Sequence, residues 1–343
     1  MSLSVKPKST HLPDEPVIVP LEKIFIEETF ILGDFIFFSR KEFDTEPDER
    51  LGSYDSEYLQ FETDLAYKDL LRINKTIRHN DVVIEKCLSI AEHALDIIRF
   101  HFCSFAKRER TPNPAGQLQS GFFSVEIIPL GDTHLKPLTL HGISRPVSCS
   151  NNWLGPEVGG FASKATDLLV EIHQGRGDEV STAVACALRL CRQSFYSLGS
   201  ESQFLNLVFA LDGLVNPSTW WVGWQHHTYI AALLSGGSEE NFGKILVRYD
   251  HLYTDVRNRL VHRGVDFYQL PDDPDDACET IYQYIQDIII LIAKKGFTTS
   301  AAMHAYAQSL LQSQPFNQKS VEVINIVSAA RGKKPQYPQW VGP

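Results

Sequence analysis

Three residues near the end of a long amphipathic segment have side chains that could act on a phosphodiester: Arg257, Asn258 and His262. A histidine titrates at about pH 6.5, so it can take or give a proton close to neutrality. An arginine stays charged, and its planar guanidinium matches the oxygens of a phosphate. RNA supplies its own nucleophile, the 2′-OH beside the phosphate. A proton carrier and a cation could therefore cleave RNA without a metal.

The spacing of these residues constrains how they can meet. Residues five apart on an ideal helix point about 140° away from each other. Arg257 and His262 therefore share no face of a regular helix, whereas Asn258 and His262 do. Two alternatives remain open: the helix loosens near Val261, or two chains pair so that the arginine of one meets the histidine of the other.

The local basic cluster stands out in an acidic chain. Arg257, Arg259 and Arg263 are close in sequence, while the formal net charge of the chain is −10. That balance argues against a protein that coats nucleic acid, because such a protein needs many cations facing phosphates. It leaves room for a small basic site. We expect Arg259 and Arg263 to bind RNA phosphates on either side of the cleaved bond.

The segment around these residues, YDHLYTDVRNRLVHRG, resembles the Apea-like family of HEPN domains over roughly residues 160–300. The family pattern has a Leu-Tyr step, an Arg-Asn or Arg-Ser pair, and an apolar residue before His and Gly. The matching residues here are Leu252, Tyr253, Arg257, Asn258, Val261, His262 and Gly264. Upstream, FLNLVFALDGL resembles the family helix that ends in Ala-Leu-acid-x-Leu. Asp212 stands where a longer Glu is expected, and His-Arg-Gly replaces the commoner His-Gly.

The resemblance implies a metal-independent endoribonuclease that leaves a 2′,3′-cyclic phosphate and a 5′-OH. It implies catalytic roles for Arg257, His262 and Asn258, and a supporting role for Asp212. It also implies a homodimer with the motifs facing each other, and a role in bacterial anti-phage defence, as in abortive infection or toxin action. On this hypothesis the N-terminal half binds a trigger or an inhibitor.

Other interpretations of the motif stay open. An isolated R-x4-H pattern is common by chance, and the helix dipole alone favours a histidine at a helix end. A non-catalytic HEPN module for dimerisation or RNA binding is the main alternative. Such modules tend to lose the arginine or the histidine, and this chain keeps both. Nucleotidyl modification of Tyr253 is a third hypothesis, which its expected burial disfavours.

The elements that must position the motif fall into two domains, as the length of 343 residues allows. Residues 1–15 are polar and predicted to be disordered. Residues 16–150 alternate strand-like runs such as PVIVPL and DFIFFS with one amphipathic helix near 81–106, which predicts an α+β domain. Turn formers between Ser148 and Gly160 mark the boundary. Residues 151–330 predict an all-α, HEPN-like bundle, and residues 331–343 a flexible tail.

Within the helical half, several helix ends can be placed from sequence. The longest periodic segment runs from Glu239 to about His262 and stops near Gly264. Asp273 is a plausible N-cap, and Gly296 a C-terminal stop that follows two lysines. The motif is therefore expected at the end of one long helix.

Several classes of protein are disfavoured. The six cysteines form no CxxC pair, so neither a zinc site nor a disulfide scaffold is predicted, and a reduced, cytoplasmic setting is simpler. The N-terminal residues carry no apolar signal core, and the strongest apolar run, 288–293, is too short for a membrane span. His226 and His227 have no partners at metal spacing, and GPEVGG lacks a strand–helix setting. We expect no metal, cofactor or membrane association.

Overall fold

The computed structural model describes residues 15–39, 57–63, 78–117, 123–127, 138–142, 147–149, 163–215 and 223–341. The chain divides into two compact units. The first holds residues 1–98 and 109–160, and the second holds residues 99–108 and 161–343. Of the predicted disordered tail, residues 1–14 lie outside the described residues, and Glu15 already begins a strand.

The first unit is built from short strands and the start of one helix. The strands are β1 (Glu15–Leu21), β2 (Ile24–Ile26), β3 (Phe30–Leu32), β4 (Phe35–Phe38), β5 (Glu57–Thr63), β6 (Phe123–Ile127), β7 (Leu138–Gly142) and β8 (Val147–Cys149). An antiparallel sheet has the order β1-β5-β4-β3, β2 pairs in parallel with β8, and β6 pairs with β7. Helix α1 (Arg78–Phe102) begins in this unit. The predicted α+β character of this half agrees with these elements.

Alternation of buried and exposed residues explains these strands. In β2, Ile24 and Ile26 are buried, whereas Phe25 between them is 42% exposed. Successive side chains of a strand point to opposite faces, so one face of β2 joins the core. In the neighbouring hairpin, Phe30 of β3 stacks on Phe37 of β4 with ring centroids 4.8 Å apart. Cross-strand aromatic pairs of this kind hold the register of short strands.

The second unit is helical throughout its described part. Its α-helices are α2 (Lys164–His173), α3 (Glu179–Tyr196), α4 (Ser200–Val215), α5 (Trp224–Leu234), α6 (Glu239–Asp250), α7 (Asn258–Arg263), α8 (Pro274–Lys295), α9 (Ser300–Leu311) and α10 (Gln314–Ala330). Helix α8 contributes a stripe of buried isoleucines at helical spacing, Ile281, Ile285, Ile288 and Ile292. Among the described residues, no helix has the length and apolar character needed to cross a membrane.

The predicted caps of α8 are confirmed. The Asp273 carboxylate accepts hydrogen bonds from the N–H groups of Asp275 and Asp276, which would otherwise have no partner at the helix start. Gly296 ends the helix in the left-handed region with φ of 68°. Lys294 lies in the last turn, where the helix dipole favours a cation.

The boundary expected from sequence, a single cut near residue 150, needs correction. Residues 99–108 belong with the helices of the second unit. The Arg99 guanidinium donates to the Tyr196 hydroxyl at 3.0 and 3.1 Å, and the Tyr282 hydroxyl donates to the Arg99 carbonyl. Phe105 stacks on Phe195 with ring centroids 4.4 Å apart. These partners lie far away in sequence, so local composition could not reveal them.

The tail expected to be flexible, residues 331–343, also needs correction. Trp340 is 9% exposed and Val341 is 4% exposed. The Trp340 indole N–H donates to the Thr228 hydroxyl of α5 at 3.2 Å, and the Asn317 amide donates to the Trp340 carbonyl. An indole ring buries a large apolar area while its N–H keeps a partner. The segment up to Val341 is therefore fixed against the helices.

Candidate functional site

The segment that carries the motif is not the single regular helix expected from its periodicity. Helix α6 ends at Asp250, residues 251–257 form a π-helical segment, and α7 begins at Asn258. The Asn258 N–H donates to the Tyr253 carbonyl, five residues back rather than four. Such widened turns are rare in proteins and occur frequently at functional sites. Here the π-helical segment ends at Arg257, the first residue of the motif.

Arg257 and His262 meet within one chain. The Arg257 Nη1 atom lies 3.5 Å from the His262 Nε2 atom, the outer limit of a hydrogen bond. The last turn of α7 is wide as well, because the Gly264 N–H donates to the Arg259 carbonyl, five residues back. Gly264 has a φ of 58°, which a residue without Cβ adopts readily. A loosened helix end thus accompanies this contact, and no second chain is needed for it.

The Arg257 guanidinium is held by uncharged neighbours. Its Nη1 atom donates to the Asn258 Oδ1 atom at 2.9 Å. The Tyr253 ring lies beneath the guanidinium carbon, with 5.2 Å between that carbon and the ring centroid. This cation–π contact orients the cation without neutralising it. The charge of Arg257 is therefore still available to an anion that enters the site.

The remaining motif residues differ in exposure. His262 and Arg263 are exposed, and Arg259 is half-buried. Within the described part of the chain, the Arg259 Nε atom has no hydrogen-bond partner. The structure thus brings Arg257, Asn258 and His262 into contact at an open helix end. Arg259 and Arg263 lie on the same short helix as His262, and among the described residues no side-chain hydrogen bond joins them to the other three.

Asp212 lies on α4 and approaches the motif through a tyrosine. Leu211 and Leu214 bury one face of α4, which places Asp212 at the edge of that face. The Tyr253 hydroxyl donates to the Asp212 Oδ2 atom at 3.4 Å, and the same Tyr253 ring lies under Arg257. Tyr253 therefore links Asp212 to Arg257, and the supporting role expected of Asp212 stays a prediction.

The protonation of Asp212 is shifted by its surroundings. Burial raises the pKa of the Asp212 carboxyl to about 7, even though the Arg257 charge, the hydrogen bond from Tyr253 and the nearby Tyr249 hydroxyl favour the ionised form. A carboxyl group with such a pKa changes charge close to neutrality. Strongly shifted groups of this kind concentrate at functional sites, although buried structural networks also produce them.

His226 on α5 is the residue of this region that the sequence did not reveal. Its Nε2 atom lies 3.4 Å from the Asp212 Oδ1 atom, and its side chain is 3% exposed. Burial lowers the pKa of His226 to about 3, so the imidazole is neutral and the contact is not an ion pair. In the sequence, His226 was considered only as a possible metal ligand, which was the wrong criterion. The useful signal was a histidine pair inside the apolar run HHTYIAALL.

Tyr249 completes what we call the site cluster: Asp212, His226, Tyr249, Tyr253 and Arg257. Its side chain is fully buried, and its hydroxyl has no hydrogen-bond partner among the described residues. Burial and the neighbouring Asp212 carboxylate raise the pKa of Tyr249 well above the usual value.

A second polar group, which we call the clamp, is centred on the buried Asp250 beside the same π-helical segment. It consists of His227, Asp250, Thr254, Asp255 and Arg331. The Asp250 carboxylate meets His227 Nδ1 at 3.0 Å, Thr254 Oγ1 at 3.3 Å and Arg331 Nη2 at 2.6 Å. The same Arg331 nitrogen lies 2.6 Å from Asp255. Burial alone would raise the pKa of Asp250, yet bonds to His227 and Arg331 bring it below the usual value.

The described residues contain no group of three or more histidine, cysteine or acidic side chains arranged to hold a metal ion. Comparison of the chain with protein-family models, with curated proteins and with solved structures finds no match in any of the three. The function must therefore be argued from the site itself.

Proposed function

We propose that this protein is a metal-independent endoribonuclease of the Apea-like HEPN kind, with Arg257 and His262 as its catalytic pair. The observation that carries the proposal is the 3.5 Å contact between Arg257 Nη1 and His262 Nε2 at an exposed helix end. A guanidinium and an imidazole in contact supply the cation and the proton carrier that cleavage through a 2′-OH requires.

The proposed reaction balances without a co-reactant. The His262 imidazole takes the proton of the 2′-OH as the 2′ oxygen attacks the adjacent phosphorus. The bond from phosphorus to the 5′ oxygen breaks, and that oxygen receives a proton from the imidazolium or from water. Arg257 neutralises the charge on the non-bridging oxygens, and Asn258 orients its guanidinium. The products are a 2′,3′-cyclic phosphate and a 5′-OH.

Substrate binding follows the charges of α7. Arg259 and Arg263 would hold phosphates next to the cleaved bond, which fixes the register of the RNA without reading its sequence. The position of both arginines on the short helix that carries His262 supports this role.

The proposal includes an assembly and a setting. The protein acts as a homodimer through its helical unit, as the resemblance to HEPN domains implies. The first unit binds a trigger or an inhibitor, and the activity serves bacterial anti-phage defence. A cytoplasmic setting is supported by free thiols at Cys87, Cys103, Cys186, Cys191 and Cys278.

The test incubates purified full-length protein with mixed cellular RNA in excess EDTA. Wild type is expected to cut RNA and leave cyclic phosphates, and His262→Ala is expected to lose this activity. His251→Ala is the matched control, because His251 lies on the same segment and pairs with Asp272 outside the site. If wild type and His262→Ala are equally inert yet both dimerise and bind RNA, the non-catalytic HEPN scaffold replaces the nuclease.

A further inference from the structure

The site cluster holds a concentration of buried polar atoms that lack partners. They are Asp212 Oδ1, His226 Nε2, Tyr249 Oη and Arg257 Nε, none of which has a hydrogen-bond partner among the described residues. Native proteins pair nearly all such atoms, and an exception at one place calls for an explanation such as stored strain or a functional role. Because these four atoms lie on four different elements yet in one cluster, we look for a single explanation of why all of them lack partners.

The closest approach within this group is between His226 and Asp212. Their facing atoms, His226 Nε2 and Asp212 Oδ1, are 3.4 Å apart but not aligned as a hydrogen bond. A small rotation of either side chain would align them. The rings of Tyr249 and Tyr253 stand edge-on to His226, with centroids at 5.8 and 5.4 Å, so the imidazole has little freedom to move elsewhere.

The groups that face Asp212 come from three elements. Helix α5 presents His226, helix α6 presents Tyr249, and the π-helical segment presents Tyr253 and Arg257. Of these, Arg257 alone is charged, since His226 is neutral and the tyrosine pKa values are raised. The ionised carboxylate can therefore be stabilised by the Arg257 charge and by donors on Tyr253 and His226.

We propose that His226 is a positioning residue of the site, because its imidazole holds the Asp212 carboxyl group, which fixes Arg257 against His262 through Tyr253. The effect of His226 on catalysis rests on the proposed function, because it requires that Arg257 and His262 cleave RNA. Its structural part, the hold of His226 on Asp212, stands independently of that function and can be measured without RNA.

The arrangement makes the site sensitive to pH near neutrality. Because burial brings the pKa of Asp212 to about 7, the carboxylate that attracts Arg257 exists above that pH and is lost below it. Above pH 7, His226 Nε2 must carry the proton and donate it to the carboxylate. Below pH 7, the protonated carboxyl group can donate to Nε2 of the other tautomer. Arg257 is thus held most firmly in the alkaline form.

The first test follows Asp212 by NMR in the full-length protein with ¹³C-labelled aspartate, assigned by comparison with Asp212→Asn. Wild type is expected to titrate at about pH 7. His226→Leu removes the donor, so the titration should move up by about one unit or more, whereas His226→Gln, whose amide can replace Nε2, should restore most of it. An unchanged titration in folded His226→Leu overturns the proposal, as does a glutamine variant that behaves like leucine.

A measurement on wild type tests the same proposal if the His226→Leu variant does not fold. The ¹⁵N shifts of the His226 ring should change at the same pH as the Asp212 carboxyl carbon. The ring stays neutral throughout, but its proton lies on Nε2 above that pH and on Nδ1 below it. Ring nitrogens that stay constant through that titration would overturn the proposal.

Activity supplies the second arm. If wild type cleaves RNA, the acidic limb of kcat/KM should contain an inflection near pH 7 that moves with Asp212 in His226→Leu, and the rate should fall by about 10–100-fold, as for a misplaced catalytic group. His226→Gln should recover most of the rate. If wild type cleaves nothing while the NMR results hold, the nuclease proposal fails and the positioning of Asp212 by His226 survives. A leucine variant with wild-type rate and pH profile would overturn the positioning role.

Discussion

The site cluster and the clamp border the same π-helical segment, yet their polar atoms are paired to different degrees. In the clamp, the Asp250 carboxylate has three partners within 3.3 Å, Arg331 bridges it to Asp255, and His227 Nε2 is the one buried clamp atom left unpaired within the described residues. In the site cluster, Asp212 has one long hydrogen bond, from Tyr253 at 3.4 Å, and its other oxygen is unpaired within the described residues.

This difference predicts a structural role for the clamp and a functional role for the site cluster. A buried ion pair with complete partners resists removal of any member, because the charge left behind has no solvent. A cluster whose buried polar atoms lack hydrogen-bond partners stabilises the fold little, but its groups can still bind a ligand or change their protonation. We therefore expect substitutions in the clamp to act on stability and substitutions in the site cluster to act on chemistry.

The largest expected effect is the loss of catalysis in Arg257→Met. The rate of RNA cleavage should fall by about 10²–10³-fold, as when a preorganised charge stabiliser is removed from a transition state. The free energy of unfolding at pH 6 should change by under about 1 kcal/mol, because Asp212 is mostly protonated at that pH and Arg257 loses only a cation–π contact and a hydrogen bond to the uncharged Asn258. Single-turnover cleavage and urea unfolding measure the two quantities. Arg189→Met, on the exposed face of α3, controls for the loss of one positive charge.

The clamp should show the opposite pattern in Arg331→Met. Asp250 would keep His227 and lose its guanidinium, which should lower the free energy of unfolding by about 3 kcal/mol. The rate per folded molecule should stay near wild type. Arg248→Met is the matched control, since its more exposed pairs with Asp272 and Asp276 are worth under about 1 kcal/mol. Equal losses in both variants would remove the distinction between the clamp and a surface pair.

A smaller and pH-dependent effect is expected for Asp212→Asn. The pKa of Asp212 is raised by burial to about 7 in the folded state, against about 3.9 in an unfolded chain. The contribution of Asp212 to wild-type stability should therefore be complete below about pH 4 and fall as the pH rises to 7, because the unfolded state releases its proton first. The amide variant lacks this loss and should be more stable at pH 8 by about 1–3 kcal/mol. Urea midpoints at several pH values measure the difference. A wild-type curve that runs parallel to that of the variant would contradict the shifted pKa.

The smallest effect concerns the wide turn after the motif. Gly264→Ala should lower the free energy of unfolding by about 1 kcal/mol, because alanine tolerates the left-handed conformation poorly. No other atom lies within 4 Å of an added Cβ, so the cost is conformational. Gly264→Asn should cost less, because asparagine adopts this conformation more readily. Thermal unfolding compares the two variants, and identical losses would point to a cause other than the backbone.

Local patterns in the sequence were enough to predict much of the fold. The apolar runs marked strands, and helical spacing marked α3, α6 and α8, because both follow from which residues must face a core. The caps at Asp273 and Gly296 were also predictable, since they depend on neighbours within a few residues.

What the sequence could not show depends on partners that lie far apart along the chain. The apolar stripe of residues 242–260 fits a regular helix as well as one with a π-helical segment, so the widened turn was missed. Trp340 is buried through Thr228, 112 residues earlier, and a polar tail gives no hint of that contact. His226 gains its role from Asp212 on another helix. In the candidate site, the sequence identified Arg257 and His262 and missed the buried His226.

The most direct test of the central claim uses two RNA oligonucleotides that differ in a single 2′-hydroxyl, at the nucleotide whose 3′ phosphate wild type cleaves. Both are incubated with wild type in EDTA, and the products are weighed by mass spectrometry. We predict that the all-ribose strand yields a 2′,3′-cyclic phosphate and a 5′-OH, and that the strand lacking this hydroxyl stays intact at that position. Cleavage of both strands, or fragments with 5′-phosphate and 3′-OH ends, would contradict cleavage by Arg257 and His262 through the 2′ oxygen.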